Sequence, residues 1–395
     1  MLNLLPAELH YYSLGDLARG FVAATDPAFN RRPITLPSLG DGIPLRSARA
    51  GIVLAIKALN LEPGSRIGVP LHCCPVVFKA IKTAGCRPRF LDVDPGTFCI
   101  SPEDLYAKRS ELDAVVAVHM FGNLCEMGSV QKAMDGKPII EDCAQALGST
   151  LSGQWAGSMG TIGVFSFRLG KYLSVGEGAA IYTSHSELRE SLTRLATDLA
   201  TPTMSEEIQH LLETFTRSKL RSKPFWGLLG SSIWGLYNKN TDFIDKSPIV
   251  MGQIFRSDLE IARHRMAHLD QMINSQRKNA AYYISNLSLD ASMLCLERPG
   301  TFYNRLMFPV VFSSTKHRDF MRTCLKKSGI STATPYEEVI EGAAKDYGYS
   351  GDCPVAERLL KRTLVIPCNH RLRMQDIKHI VQSFNNAWAN VSQRE

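Results

Sequence analysis

Between about Gly42 and Ser184, short β-branched runs alternate with stretches of helical periodicity. That rhythm leaves few folds open, and the one it predicts is a mostly parallel sheet with helices on both faces. Ala48, Ile52, Ala55, Ile56 and Leu59 recur at helical spacing, and Pro63-Gly64 stops the helix before a short strand at 66–69. A helix over 76–83 and strands at 89–93, 114–118 and 138–141 continue the series. The run Val115-Val116-Ala117-Val118 is apolar on both faces, as a strand buried in a parallel sheet is. After 188 the pattern turns helical, charged and aromatic, and the segment 188–247 reads as an inserted, lid-like region. A helical run through 268–287 then leads to a strand at 307–312, a helix at 317–327 and a last helix at 374–388. The division predicted is a large domain over 1–250 that carries the insertion and a smaller α+β domain over 251–395. No internal repeat interrupts it.

Composition removes several function classes. Of the 395 residues 45% are apolar and 21% charged, enough to bury a sizeable core. The formal net charge is +7, but Lys and Arg are dispersed apart from Arg217, Lys219, Arg221 and Lys223. A nucleic-acid groove is therefore not expected, whereas attraction of small anions is compatible with the balance. The ten cysteines include no CxxC pair, so no metal site is expected. With no basic start leading into a long apolar run, the sequence reads as a reduced, cytoplasmic protein. The most apolar stretch, 224–237 (PFWGLLGSSIWGLY), is shorter than the roughly 20 residues that span a bilayer. Peripheral membrane contact through it is conceivable, but a cap over a site or a subunit contact is the preferred reading.

In open α/β sheets the carboxyl ends of the strands face the ligand crevice. Asp142 and Gln145, just past one predicted strand, should therefore point into a site, and Ser166 and Lys171 follow after a turn and another strand. A lysine that can bind an aldehyde as an imine, a carboxylate that can hold a ring nitrogen protonated, and a donor for a phosphate make a coherent set. Each also has a plainer reading: Asp142 as a helix cap, Gln145 on a turn, Ser166 as a strand residue, Lys171 as a solvated surface group. His119 reads as packing at the sheet edge, His370 as a substrate-site candidate, and Gly176 and Gly178 as sites of close backbone approach behind the lysine.

The ordered pieces SARAG (47–51), VP (69–70), DVDPGTF (92–98), HMFG (119–122), EDCAQALG (141–148), FSFRLGK (165–171) and GEGAA (176–180) reverse those priors. Together they resemble the DegT/DnrJ/StrS-type family of sugar aminotransferases that depend on pyridoxal 5'-phosphate (PLP), and PVAERLLKRTLVIPCNH resembles its late segment. The resemblance implies the PLP-dependent transferase fold of type I. It makes Lys171 the Schiff-base lysine, Asp142 the partner of the pyridine nitrogen, Gln145 a contact to the ring hydroxyl and Ser166 a phosphate ligand. Ser47, Ala48 and Arg49 would open a helix whose N-terminal amides hold the phosphate, and His72 is the candidate ring to stack on the cofactor. Implied too are an amino-acid donor, glutamate first, and a keto-sugar acceptor, nucleotide-linked, in cell-surface polysaccharide or secondary-metabolite biosynthesis, with a homodimer as the working form. Two departures stand out: Ala48-Arg49 replaces the common Gly-Thr, and no Asn-Tyr-Arg segment occurs near 251–257. Members that dehydrate sugars carry histidine in place of the lysine, so Lys171 favours amino transfer. Another PLP reaction, a lyase or dehydratase step, and a non-catalytic ligand-binding regulator are the alternatives.

Overall fold

The computed structural model describes residues 4–8, 10–222 and 248–392. Its strands follow the apolar runs: β1 (Ile34–Leu36), β2 (Gly40–Leu45), β3 (Arg66–Pro70), β4 (Arg87–Leu91), β5 (Ala114–Val118) and β6 (Ile139–Asp142). A hairpin of β7 (Thr150–Leu151) and β8 (Gln154–Trp155) precedes β9 (Ile162–Ser166) and β10 (Ala179–Tyr182). Eight of these form one sheet in the order β1-β2-β10-β9-β6-β5-β3-β4. The block β9-β6-β5-β3-β4 is parallel, and β10, β2 and β1 add antiparallel to its edge. All five residues of β5 and all four of β6 are buried, so the sheet centre is covered on both faces.

Helix α1 (Leu14–Thr25) starts on a capping box at Ser13 and Asp16. Helix α2 (Ala48–Ala58) is capped by Ser47, whose Oγ accepts from Ala50 N at 3.3 Å. Helix α3 (Val76–Thr83) spans the predicted residues and ends before Gly85, whose φ of +86° suits glycine. The largest shift from a predicted strand is at 89–93, where the strand runs instead over Arg87–Leu91; those expected at 66–69, 138–141 and 307–312 differ by one residue at an end or at both. Asp92 leaves the ladder because its carboxylate caps a distant helix, Pro354–Arg362, accepting from Ala356 N at 2.7 Å and Val355 N at 3.0 Å. The acidic segment 92–95 is thus a clamp between sequence-distant parts.

In the segment 188–247 the described part is helical: Ser186–Thr197, then Met204–Leu220, which packs on α1 and on the helix Arg256–Met266. The apolar stretch 224–237 lies outside the described residues. No described helix is long and apolar enough to cross a membrane. Toward the other end, β11 (Thr301–Phe302) joins the β7-β8 hairpin, and β12 (Phe308–Val311) pairs antiparallel with β13 (Thr363–Ile366). Around β12 and β13, Tyr283, Phe312, Met321, Ile377 and Phe384 form a second hydrophobic cluster, separate from the larger one about the main sheet. Leu5 belongs to this second cluster although it lies at the opposite end of the chain.

Candidate active site

Register sets the first wall of the cleft. β5, β6 and β9 are parallel neighbours, with Val118 opposite Asp142 and Asp142 opposite Val164. His119, Asp142 and Ser166 therefore emerge side by side at the carboxyl end of the sheet. The loop after β9 is pinned at its base by Phe167 N to Gly178 O (2.8 Å) and Val175 N to Phe167 O (2.9 Å). Its tip turns at Gly170 (φ +88°) and presents Lys171 to the same space. Behind it, a Cβ added at Gly176 would lie 2.8 to 2.9 Å from His210, Thr214 and Asp258, so the chain packs there as only glycine can.

The cleft encloses about 780 Å³ of space, counting its open mouth. Ser47, Ala48, Arg49, Asp142, Gln145, Ser166 and Lys171 all line it. Asp142 accepts one hydrogen bond, from Ala144 N to Oδ1 at 3.0 Å, and burial raises its pKa against the pull of that N–H and of Lys171. Lys171 is shifted the other way: burial and then Arg168 favour the neutral amine, opposed by Glu8, Cys74 and Asp142. Among the described residues neither forms an ion pair. Gln145 accepts from Phe121 N at 3.0 Å, and its Nε2 lies 3.3 Å from the Tyr336 hydroxyl.

His72 is not brought to this wall. Its ring is fully buried against Phe98 and Phe121, with both nitrogens unpartnered, and Cys74 faces the cleft instead. His119 both packs and lines the cleft, with Nε2 2.9 Å from Glu141 and Nδ1 accepting from Cys125 N at 3.2 Å. His119, Glu141 and Cys143 come within metal-binding reach of one another. The carboxylate of Glu141, however, already accepts from Gly157, Met159 and Gly160 N–H groups, which is a structural use. His370 stacks on Tyr172 and lines a neighbouring cavity together with Lys171; burial, then Arg371 and Arg265, push its pKa down to about 4.

Three cleft residues escaped sequence reasoning, Cys74, Arg168 and Tyr336, as did Glu8 in the neighbouring cavity. Tyr336 holds a left-handed φ of +63°, uncommon for an aromatic residue, and reaches the cleft from a loop far along the chain. No local spacing signals it. Arg168 lies within the FSFRLGK motif, three residues before the lysine.

PLP fits this donor set. An unpaired lysine amine, a buried carboxylate with one oxygen uncommitted, and a helix N-terminus with a serine beside it match an aldehyde, a ring nitrogen and a phosphate.

A family model described as the DegT/DnrJ/EryC1/StrS aminotransferase family matches residues 38–217 and 252–385. The UDP-N-acetyl-3-dehydro-alpha-D-glucosamine 3-aminotransferase of Acidithiobacillus ferrooxidans is 26% identical over 352 residues, covering 87% of this chain and 84% of that protein. The L-glutamine:2-deoxy-scyllo-inosose aminotransferase of Streptomyces fradiae is 34% identical over 159 residues, 40% of this chain and 38% of its own length. Among solved structures, the aminotransferase TlmJ from Streptoalloteichus hindustanus superposes with a TM-score of 0.75 at 21% identity, covering 98% of this chain and 100% of that one. The architecture expected from the motifs, a mostly parallel sheet of fold type I, is the one observed.

Proposed function

We propose, from the premise that this chain belongs to the DegT/DnrJ/EryC1/StrS aminotransferase family, that it moves an amino group from an amino acid to a keto-sugar. The acceptor is nucleotide-linked and the product serves cell-surface polysaccharide or secondary-metabolite biosynthesis. The names of the relatives support a sugar or cyclitol ketone as acceptor, and set glutamine beside glutamate as a donor to try. The observation that carries the reading is the facing pair Lys171 and Asp142, held on one cleft at the N-terminus of α2 with neither neutralised by an ion pair.

When bound, PLP would supply an aldehyde that takes up the amine and an electron-poor ring that draws electrons from the substrate carbon. Lys171 would hold the aldehyde carbon. Once displaced, its amine would carry the proton between substrate and cofactor, and its depressed pKa keeps that amine neutral enough to accept it. Asp142 would keep the ring nitrogen protonated, and that cation would in turn relieve the desolvation of its carboxylate. Ser47, Ala48, Arg49 and Ser166 would hold the phosphate, with Gln145 at the ring hydroxyl. Cys74, which lines the cleft where His72 does not, would lie against the ring. A homodimer in the cytoplasm completes the proposal, together with a large unit 1–250 and a smaller one 251–395.

The test is the absorbance of the purified protein with added PLP, before and after glutamate, against Lys171→Ala. A lysine-bound cofactor band that shifts with donor in the native chain, and is missing in the variant, is the expected result. No such band in native protein at saturating PLP would sink the enzyme reading.

A further inference from the structure

Five basic side chains, His264, Arg265, His268, His370 and Arg371, line one open cavity where the start of α1 meets the end of the helix Arg256–Met266. Among the described residues the only carboxylate on its wall is that of Asp16. That acid is already committed. Its Oδ2 accepts from Ser13 N and Ser13 Oγ, both at 2.7 Å, and from Arg265 Nη2 at 2.8 Å. Arg265 is just as fully used, donating also to Leu173 O at 2.6 Å, Ser174 O at 2.7 Å and Tyr11 O at 3.0 Å. The two charges cancel, and Arg371 is left over.

The Arg371 guanidinium lies 3.5 Å from the centre of the Tyr11 ring and, among the described residues, its side chain has no acceptor and no acid to pair with. A lone unpaired arginine on a surface is ordinary; here its neighbours are unpaired as well. His264 and His268 meet edge to face at 5.6 Å and His370 stacks on Tyr172, yet none of the three rings has a hydrogen-bond partner among the described residues. Four side chains that can donate thus share one cavity with no free acceptor. Stacking on Tyr11 steadies the plane of Arg371 without using its N–H groups, which keeps the fork open for an oxyanion.

Three histidines on one wall also raise a metal reading. Ligand atoms must converge for that, and among the described residues only His119, Glu141 and Cys143 do so. Burial, then the charges of Arg371 and Arg265, hold His370 as the neutral ring at physiological pH, and the same charges oppose a cation. A neutral imidazole still offers one N–H to an anion.

The cavity adjoins the reaction centre. Tyr172, the residue after the lysine, and His370 both line it, and both also line the neighbouring cavity that Lys171 borders. An anion held at Arg371 would therefore lie behind a wall whose other side faces the space next to the lysine.

We propose that this cavity binds the phosphate of a phosphorylated ligand, with Arg371 as the anchoring cation and His264, His268 and His370 as further donors. On the aminotransferase reading, which the proposal deepens, the source is the diphosphate of the nucleotide-linked acceptor. A free phosphorylated metabolite offers the same chemistry, and the experiment tells the two apart.

The experiment is calorimetric titration of the PLP-loaded protein, whose cofactor phosphate site is filled, with UDP and separately with inorganic pyrophosphate. Native protein should bind both. Arg371→Gln should weaken each at least tenfold, as loss of a charged hydrogen-bond donor does, and Arg371→Lys should recover part of the loss. The double change His264→Gln with His268→Gln should cost about threefold more. Arg322→Gln, placed in the separate cavity that Tyr336 lines, should leave both affinities within twofold. The cofactor band and Tm check that each variant is folded and loaded. In the acceptor half-reaction Arg371→Gln should raise the KM at least tenfold while the donor KM moves less than twofold. Lost UDP binding with an unchanged acceptor KM would keep the phosphate site and assign it to a free metabolite. No binding of either probe, equal affinity in native protein and folded Arg371→Gln, or a loss that follows Arg322→Gln instead would overturn the proposal. These titrations need no turnover, so they fail separately from the aminotransferase reading, whose failure shows as a missing lysine-bound cofactor band.

Discussion

The cleft has two walls of different origin. Asp142, Gln145, Ser166 and Lys171 come from consecutive strand ends and a pinned loop, so backbone register alone sets them side by side. Tyr336 in the cleft, and Glu8, Arg221 and His370 in the cavities beside it, come from segments scattered over the chain and meet only through tertiary packing. On the proposed function, the sheet wall would hold the groups that reaction with an amine requires, and the assembled part would be the place to tune what enters. A chemistry shared across a family belongs on the part that register makes reproducible, while selectivity can drift on the part that packing assembles.

Substitutions that damage one wall and spare the other sharpen this contrast. Asp142→Asn keeps the acceptor for Ala144 N–H but loses the charge, and should cut kcat about 10² to 10³-fold, as removal of one preorganised electrostatic group does. Rapid-quench measurement of the donor half-reaction, with cofactor content checked by absorbance, reads it; a loss under tenfold would mean that Asp142 is only a cap. Glu141→Gln tests the foundation of the same wall. Its amide nitrogen would face either the Gly157 N–H or the Met159 and Gly160 N–H groups, leaving a donor–donor clash that should cost about 3 kcal/mol in urea unfolding. If stability hardly changes, the buried acid has some other purpose than bracing the strand ends. The smallest effect is expected on the assembled wall: Tyr336→Phe removes one hydroxyl next to Gln145 and should raise the acceptor KM about three- to tenfold with the donor half-reaction unchanged. A large fall in the donor half-reaction instead would erase the proposed division of labour.

The same division explains what could be read in advance. The strands over 114–118 and 66–70, helices α2 and α3, and the grouping of Ser47, Ala48, Arg49, Asp142, Gln145, Ser166 and Lys171 follow from local pattern and ordered motifs. His72, Cys73 and Cys74 are adjacent, and nothing local says which of them faces the cleft. The turn places Cys73 N against Leu71 O at 2.9 Å, Phe98 and Phe121 take up the imidazole, and Cys74 is left facing the cleft. The end of β4 was misjudged because Asp92 answers to a helix some 260 positions away (92 to 354). Tyr336 leaves no local trace at all, since only packing brings it to the cleft.

The tie between Leu5 and the strip Gly329–Ser331 carries a consequence for how the protein comes into being. Synthesis runs from N- to C-terminus, so Leu5 emerges long before its partner exists, and its apolar side chain must wait uncovered while the main sheet assembles. Contacts so distant in sequence are the slow ones to form. The main sheet, with Asp142 and Lys171 at its strand ends, can therefore form before Ala7 and Glu8 are seated in the cavity that Lys171 lines.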